Sequence, residues 1–136
     1  MENLLQVNYL AVLLAIAVNQ VIGALWYSPI LFGKVWMKEL GIAPDSIAKT
    51  DAQRSMLLAF IYSILNFLLL AYFIQVVETK CPAKGLMVGF FLGLFSAIQI
   101  GINATFESKS MKLFLINALY PLLSYSLGGL IIGVWN

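Results

Sequence analysis

Residues 84–105 read K-G-L-M-V-G-F-F-L-G-L-F-S-A-I-Q-I-G-I-N-A-T. No charge follows Lys84 in this stretch. At about 1.5 Å per residue, a helix of this length crosses the ~30 Å hydrocarbon core of a bilayer. A barrel strand would be shorter and would alternate in polarity. The run also carries a small residue at every fourth position: Gly85, Gly89, Gly93, Ala97 and Gly101. Lipid gives helices no hydrophobic reason to associate, so attraction in a membrane comes from close backbone approach over small residues. Residues 84–105 therefore read as a helix that lies in lipid and packs against another backbone.

Three further runs of the same kind occupy 7–27, 55–77 and 111–134, each without an interior charge. Small residues recur in the first (Ala11, Ala15, Gly23) and the fourth (Ser124, Gly128, Gly129, Gly133). Over the 136 residues, 62% are hydrophobic and 10% charged, whereas a soluble domain carries about 45–50% and about 25%. So few ionic groups cannot cover a water-facing surface. The expectation is an all-α integral membrane bundle of four transmembrane helices, in a single domain spanning 1–136. The first run is not expected to be a cleavable signal, because Met1-Glu2-Asn3 offers no basic segment and the apolar part is too long.

Charge sets the orientation. The first loop holds Lys34, Lys38, Lys49 and Arg54, and the third holds Lys109 and Lys112, on the same side; the second loop holds only Lys80 and Lys84. Basic residues in short loops stay in the cytoplasm, which puts both termini outside. The net charge of +2 contains no basic tract for nucleic acid. There is no His, and the single Cys81 allows neither an internal disulfide nor a metal site. No cofactor is expected.

The first loop holds its own signal. Ser28 as cap, Pro29 at the first helical position and Gly41 as stop outline a helix over 29–40. Leu31, Phe32, Val35, Trp36 and Leu40 share one face, away from Lys34, Lys38 and Glu39, as in an amphipathic helix lying in the membrane interface. Such a helix anchors, or alternatively docks a partner. Thr50 and Gln53 suggest a capping box for the second span. Pro121 inside the fourth span removes a donor and frees the carbonyl of Asn117, predicting a kink whose loose ends Asn117, Tyr120 and Ser124 are placed to satisfy.

Polar residues gather at one depth. Counting back from Trp26, Asn19 sits about 10 Å inside the inner boundary. Tyr62, Ser63, Gln99 and Asn117 fall near that level on the other helices, with Asn103 shallower, Asn66 near the midplane and Glu107 at the mouth. Two readings are open: hydrogen-bonded glue between helices, or a site for a small polar solute or cation facing the cytoplasm. Glu107 would add a charge to such a site, or else pair with Lys109 or Lys112. No nucleophile–base pair, metal set or phosphate loop is visible, so an enzyme is not expected. The first expectation is a non-enzymatic bundle that assembles, as a homo-oligomer or as a subunit of a membrane complex, with the lipid bilayer as its surroundings. The alternative is a channel or transporter using the polar layer, and a membrane enzyme using Glu107 comes third.

Two stretches resemble a known family. N-Y-L-A-V-L…G-A-L-W-Y-S-P-I-L-F-G-K-V-W-M-K, from Asn8 to Lys38, and F-E-S-K-S-M-K-L-F-L-I-N-A-L-Y…G-V-W, from Phe106 to Trp135, are similar to the small bacterial membrane proteins grouped as domain of unknown function 1761. The Trp26-Tyr27-Ser28-Pro29…Phe32-Gly33 run is the more specific part. The resemblance implies a four-span protein of the bacterial inner membrane, and it carries no activity, substrate or catalytic residue.

Overall fold

The computed structural model describes residues 6–46, 48–78 and 80–135, with backbone only at residue 50. The residues used to judge the signal, Met1 to Asn3, lie outside these. The fold is all-helical: α1 (Tyr9–Trp26), α2 (Gly33–Leu40), α3 (Lys49–Val76), α4 (Pro82–Phe106) and α5 (Met111–Val134), with a 3₁₀ turn at Pro44–Ser46 between α2 and α3. Four of them are long and apolar enough to cross a membrane: Tyr9–Trp26, Asp51–Val76, Pro82–Phe106 and Met111–Val134. Their outward faces carry exposed Leu10, Met56, Phe95 and Phe106, a surface suited to lipid rather than water.

The four long helices run up and down in turn, with α5 at the centre. The start of α1 meets the end of α5, where the Asn8 amide donates to the Trp135 carbonyl (3.0 Å). The same Asn8 caps α1 by accepting from the backbone N–H groups of Leu10 and Ala11. At the opposite end, Ser110 caps α5 and donates its hydroxyl to the Glu39 carboxylate of α2.

α4 and α5 lie closest. Gly85, Gly89 and Gly93 are buried against α5. A Cβ on Gly85 would overlap the Gly129 carbonyl, one on Gly89 would overlap the Tyr125 carbonyl, and one on Gly93 would lie 2.8 Å from Leu122 Cα. Of the remaining small residues in that row, Ala97 is half-buried and Gly101 faces only the ring of Phe114. α5 answers with Gly129 and Gly133 toward α4, and turns Gly128 toward the Phe67 ring of α3. The row of small residues in α4 is thus used within the chain.

One apolar cluster fills the end where α1 begins and α5 finishes, while Leu113, Ile116 and Ala118 are buried near the other end of α5. Val7, Ala11, Val12, Ala15 and Ile16 pack with Phe67, Leu70, Ala71 and Ile74 of α3 and Ile132 of α5. Along α3, the side chains from Met56 to Tyr62 are all exposed, so its first half stands apart from the bundle that its second half joins.

Three local expectations need correction. α2 begins at Gly33, not at Pro29, with Phe32 as its N-cap. Ser28 organises a turn instead: its carbonyl accepts from the N–H groups of Leu31 and Gly33, and its hydroxyl donates to the Leu25 carbonyl. A Cβ on Gly33 would sit 2.7 Å from the Ser28 carbonyl carbon, so chain reversal here requires glycine and leaves no room for a helix from 29. The stop at Gly41 is as expected, a left-handed residue with φ 69°. α3 starts at Lys49 with Ala48 as N-cap and no side-chain cap, which puts Thr50 inside the helix and removes the capping box. The extra turns carry Asp51 near the positive end of the helix dipole. Finally, α5 continues as one helix past Pro121, but Asn117, Tyr120 and Ser124 spend their side chains on α1 and α2 rather than on the backbone beside the proline.

Candidate functional site

Where α3 stands apart, a cleft of about 810 Å³ opens at the α2 end of the bundle. Its lining includes Asn19 of α1; Tyr62, Ser63 and Asn66 of α3; Gln99, Asn103 and Glu107 at the end of α4; and Asn117 of α5. The periodicity explains the convergence. Gln99, Asn103 and Glu107 follow one another at four-residue steps down one face of α4, and on α3 Tyr62 and Ser63 precede Asn66 by four and three residues.

The layer divides into two parts. The deeper part is bonded. Asn19 donates its amide to the Ser63 hydroxyl (3.0 Å), to which Gln20 also donates (3.1 Å). The Asn19 carbonyl oxygen accepts from the hydroxyls of Tyr120 (2.9 Å) and Ser124. One amide thereby ties α1 to α3 and to α5, and no buried side-chain polar atom among the described residues lacks a partner. Gly23 leaves space for the Tyr120 hydroxyl, which would be 2.9 Å from a Cβ there.

The second part faces the cleft. Asn117 Oδ1 accepts from the Tyr27 hydroxyl and from Trp36 Nε1, both at 3.2 Å. Tyr27 and Trp36 also stack edge to face, with centroids 5.3 Å apart. Trp26 donates its indole N–H to the Ile116 carbonyl (2.9 Å), so the aromatic residues between α1 and α2 clamp the first turns of α5. On α4, Gln99 donates to Asn103 Oδ1 (3.3 Å), and both side chains remain exposed. Glu107 makes no ion pair with Lys109 or Lys112 among the described residues, although Lys109 also lines the cleft.

Residues 10–133 match the family described as "Protein of unknown function (DUF1761)". The chain belongs to that family. The match reaches all five helices, short of one residue at the start of α1 and one at the end of α5, and covers every residue that lines the cleft. No curated protein and no solved structure matches the chain. Membership in DUF1761 thus agrees with the four long apolar helices and brings no assigned chemistry, and the site must be read from its geometry.

Sequence reasoning missed four participants. Trp36 read as part of the apolar face of an interfacial helix and Tyr27 as part of the run shared with the family, and their grip on Asn117 depends on how α2 folds back. Tyr120 and Ser124 read as help for Pro121. The signal for the latter pair was present: Asn117, Tyr120 and Ser124 lie at i, i+3 and i+7, one polar stripe on an otherwise apolar helix.

Proposed function

We propose that this DUF1761 protein is a non-enzymatic, multi-pass membrane protein that binds a small polar solute in the cleft and moves it through the bundle. The observation that carries this reading is the cleft itself: about 810 Å³, with amide, hydroxyl and phenol groups from four helices turned to one space. Ligand pockets typically fall in the range of about 300–1,000 Å³ and combine apolar walls with a few polar groups. Interhelical glue alone would consume its amides, as Asn19 does; Gln99, Asn103 and Asn117 retain hydrogen-bonding capacity. The row of glycines that favoured a self-assembling bundle or a complex subunit is occupied by α5 and lends that reading no separate support.

The orientation belongs to the same proposal. Six basic residues at the cleft end against two at the other favour a cytoplasmic mouth and both termini outside, in a bacterial inner membrane.

Flux into proteoliposomes tests the function. Purified protein is expected to raise entry of a neutral polar solute above that of empty liposomes, and Gln99→Leu with Asn103→Leu to abolish the increment. Rates equal to empty liposomes for a range of solutes would defeat the transport reading, and a native mass showing co-purified chains would favour the subunit.

A further inference from the structure

We propose that the ligand of this cleft is neutral and rich in hydroxyl groups, a sugar or polyol, either free or as the headgroup of a lipid; this rests on the cleft being a binding site. The first argument is charge. Glu107 and Lys109 stand at the mouth, whereas the deeper lining offers amides, hydroxyls and phenols without a formal charge. An ionised group seated there would lose its hydration with no counter-charge in return.

The second argument is the kind of hydrogen bond left over. Trp36 Nε1 can only donate, so the Asn117 atom it meets is the oxygen, and the free end of that amide is the donor Nδ2. Between Gln99 and Asn103 one amide donates to the other. Whichever way the two are turned, one donor end and one acceptor end remain. The cleft therefore presents donors and acceptors side by side. A carboxylate only accepts and an ammonium only donates, while a hydroxyl does both. The exposed Tyr62 ring on α3 and Trp36 on α2 add flat apolar faces for the C–H side of a sugar ring.

The third argument is access. Tyr62, Gln99 and Asn103 are all exposed, and α3 stands off on one side of them. The cleft is lined from both α3 and α4, so the gap between these two apolar helices is the side from which a lipid would approach. A headgroup carried on a lipid can enter by this gap with its tail still in the bilayer.

The test uses the full chain in phosphatidylcholine nanodiscs, free of sugar-based detergent. Tryptophan fluorescence is followed on titration with sucrose, sodium glutamate and choline chloride, and in parallel discs doped with a monoglucosyl diacylglycerol. A saturable response to sucrose or to the glucolipid, and none to the two salts, is expected; which of the two saturates tells free solute from headgroup. Gln99→Leu with Asn103→Leu is expected to weaken the response about tenfold or more, since two amide contacts are lost, without lowering the melting temperature. Saturation by glutamate or choline instead overturns the neutral ligand and leaves the cleft as a site. No saturation by any probe also overturns the neutral ligand, and if liposome flux is then unchanged in the double variant, the cleft reading falls with it.

Discussion

At the scale of single residues, Asn19 is a buried polar group, 6% exposed and bonded to α3 and α5. Interhelical hydrogen bonds in membranes average about 0.6 kcal/mol, so losing three such bonds in Asn19→Leu is expected to cost about 2 kcal/mol. Unfolding in mixed micelles with increasing dodecyl sulfate measures this; a loss under about 0.5 kcal/mol would show that the hydroxyls find other partners. Ser108 offers the opposite case. It follows the end of α4 with φ 53°, a left-handed conformation held by the Lys109 N–H to Ala104 carbonyl bond. A side chain in that region costs about 1–2 kcal/mol, so Ser108→Gly should stabilise by about 1 kcal/mol in the same assay. How far the sequence can be read differs between these residues. Depth counting along a helix brings Asn19, Ser63, Gln99 and Asn117 to one level, because the rise per residue is fixed. It does not tell which groups bond, since that depends on the rotation of each helix about its axis. Asn19 and Ser124 are 105 positions apart in the chain, and no local pattern couples them.

Among the elements, the α4–α5 pair was the most legible from sequence and α2 the least. A four-residue repeat of small side chains has one physical use in lipid, and the three glycines from Gly85 to Gly93 serve it against α5. The start of α2 depended on a tight turn around Ser28, which Pro29 disguised as a helix start. The glycines predict a graded series. Alanine at Gly89 must push its Cβ into the Tyr125 carbonyl, a backbone atom with nowhere to go. Overpacking of this kind costs about 1–3 kcal/mol, and Gly89→Ala is expected to lower the melting temperature clearly. Gly101→Ala meets only the Phe114 ring, 3.1 Å from Cε2, and a ring can shift. Its helix propensity improves by about 0.8–1 kcal/mol, so this variant should melt at or above the wild type. If both variants melt alike, backbone contact at Gly89 is not what joins the two helices.

On the scale of the whole molecule, the main apolar cluster and the polar cleft lie toward opposite ends of the bundle. The apolar core closes the end where α1 begins and α5 finishes, and the cleft opens the other. A bundle sealed at one end and open at the other has a direction, and its function depends on which compartment the open end meets. The chain supplies its own probe. Cys81, its single cysteine, is exposed between α3 and α4 at the sealed end. The backbone N–H groups of Lys84 and Ala83, at the start of α4, hold its thiol below the ordinary value. A lowered value means more thiolate at a given pH, so at neutral pH labelling by a maleimide should be faster than for an unperturbed exposed thiol. With the six basic residues inside, a membrane-impermeant maleimide added to intact cells should label Cys81, and should miss Ser46→Cys in a Cys81→Ser background until the membrane is opened. Ser46 is exposed in the 3₁₀ turn beyond α2, so failure to label it from outside would reflect the membrane rather than burial. The reverse pattern would turn the bundle over. The cleft would then face the exterior, and the proposed solute would be one that the cell meets from outside.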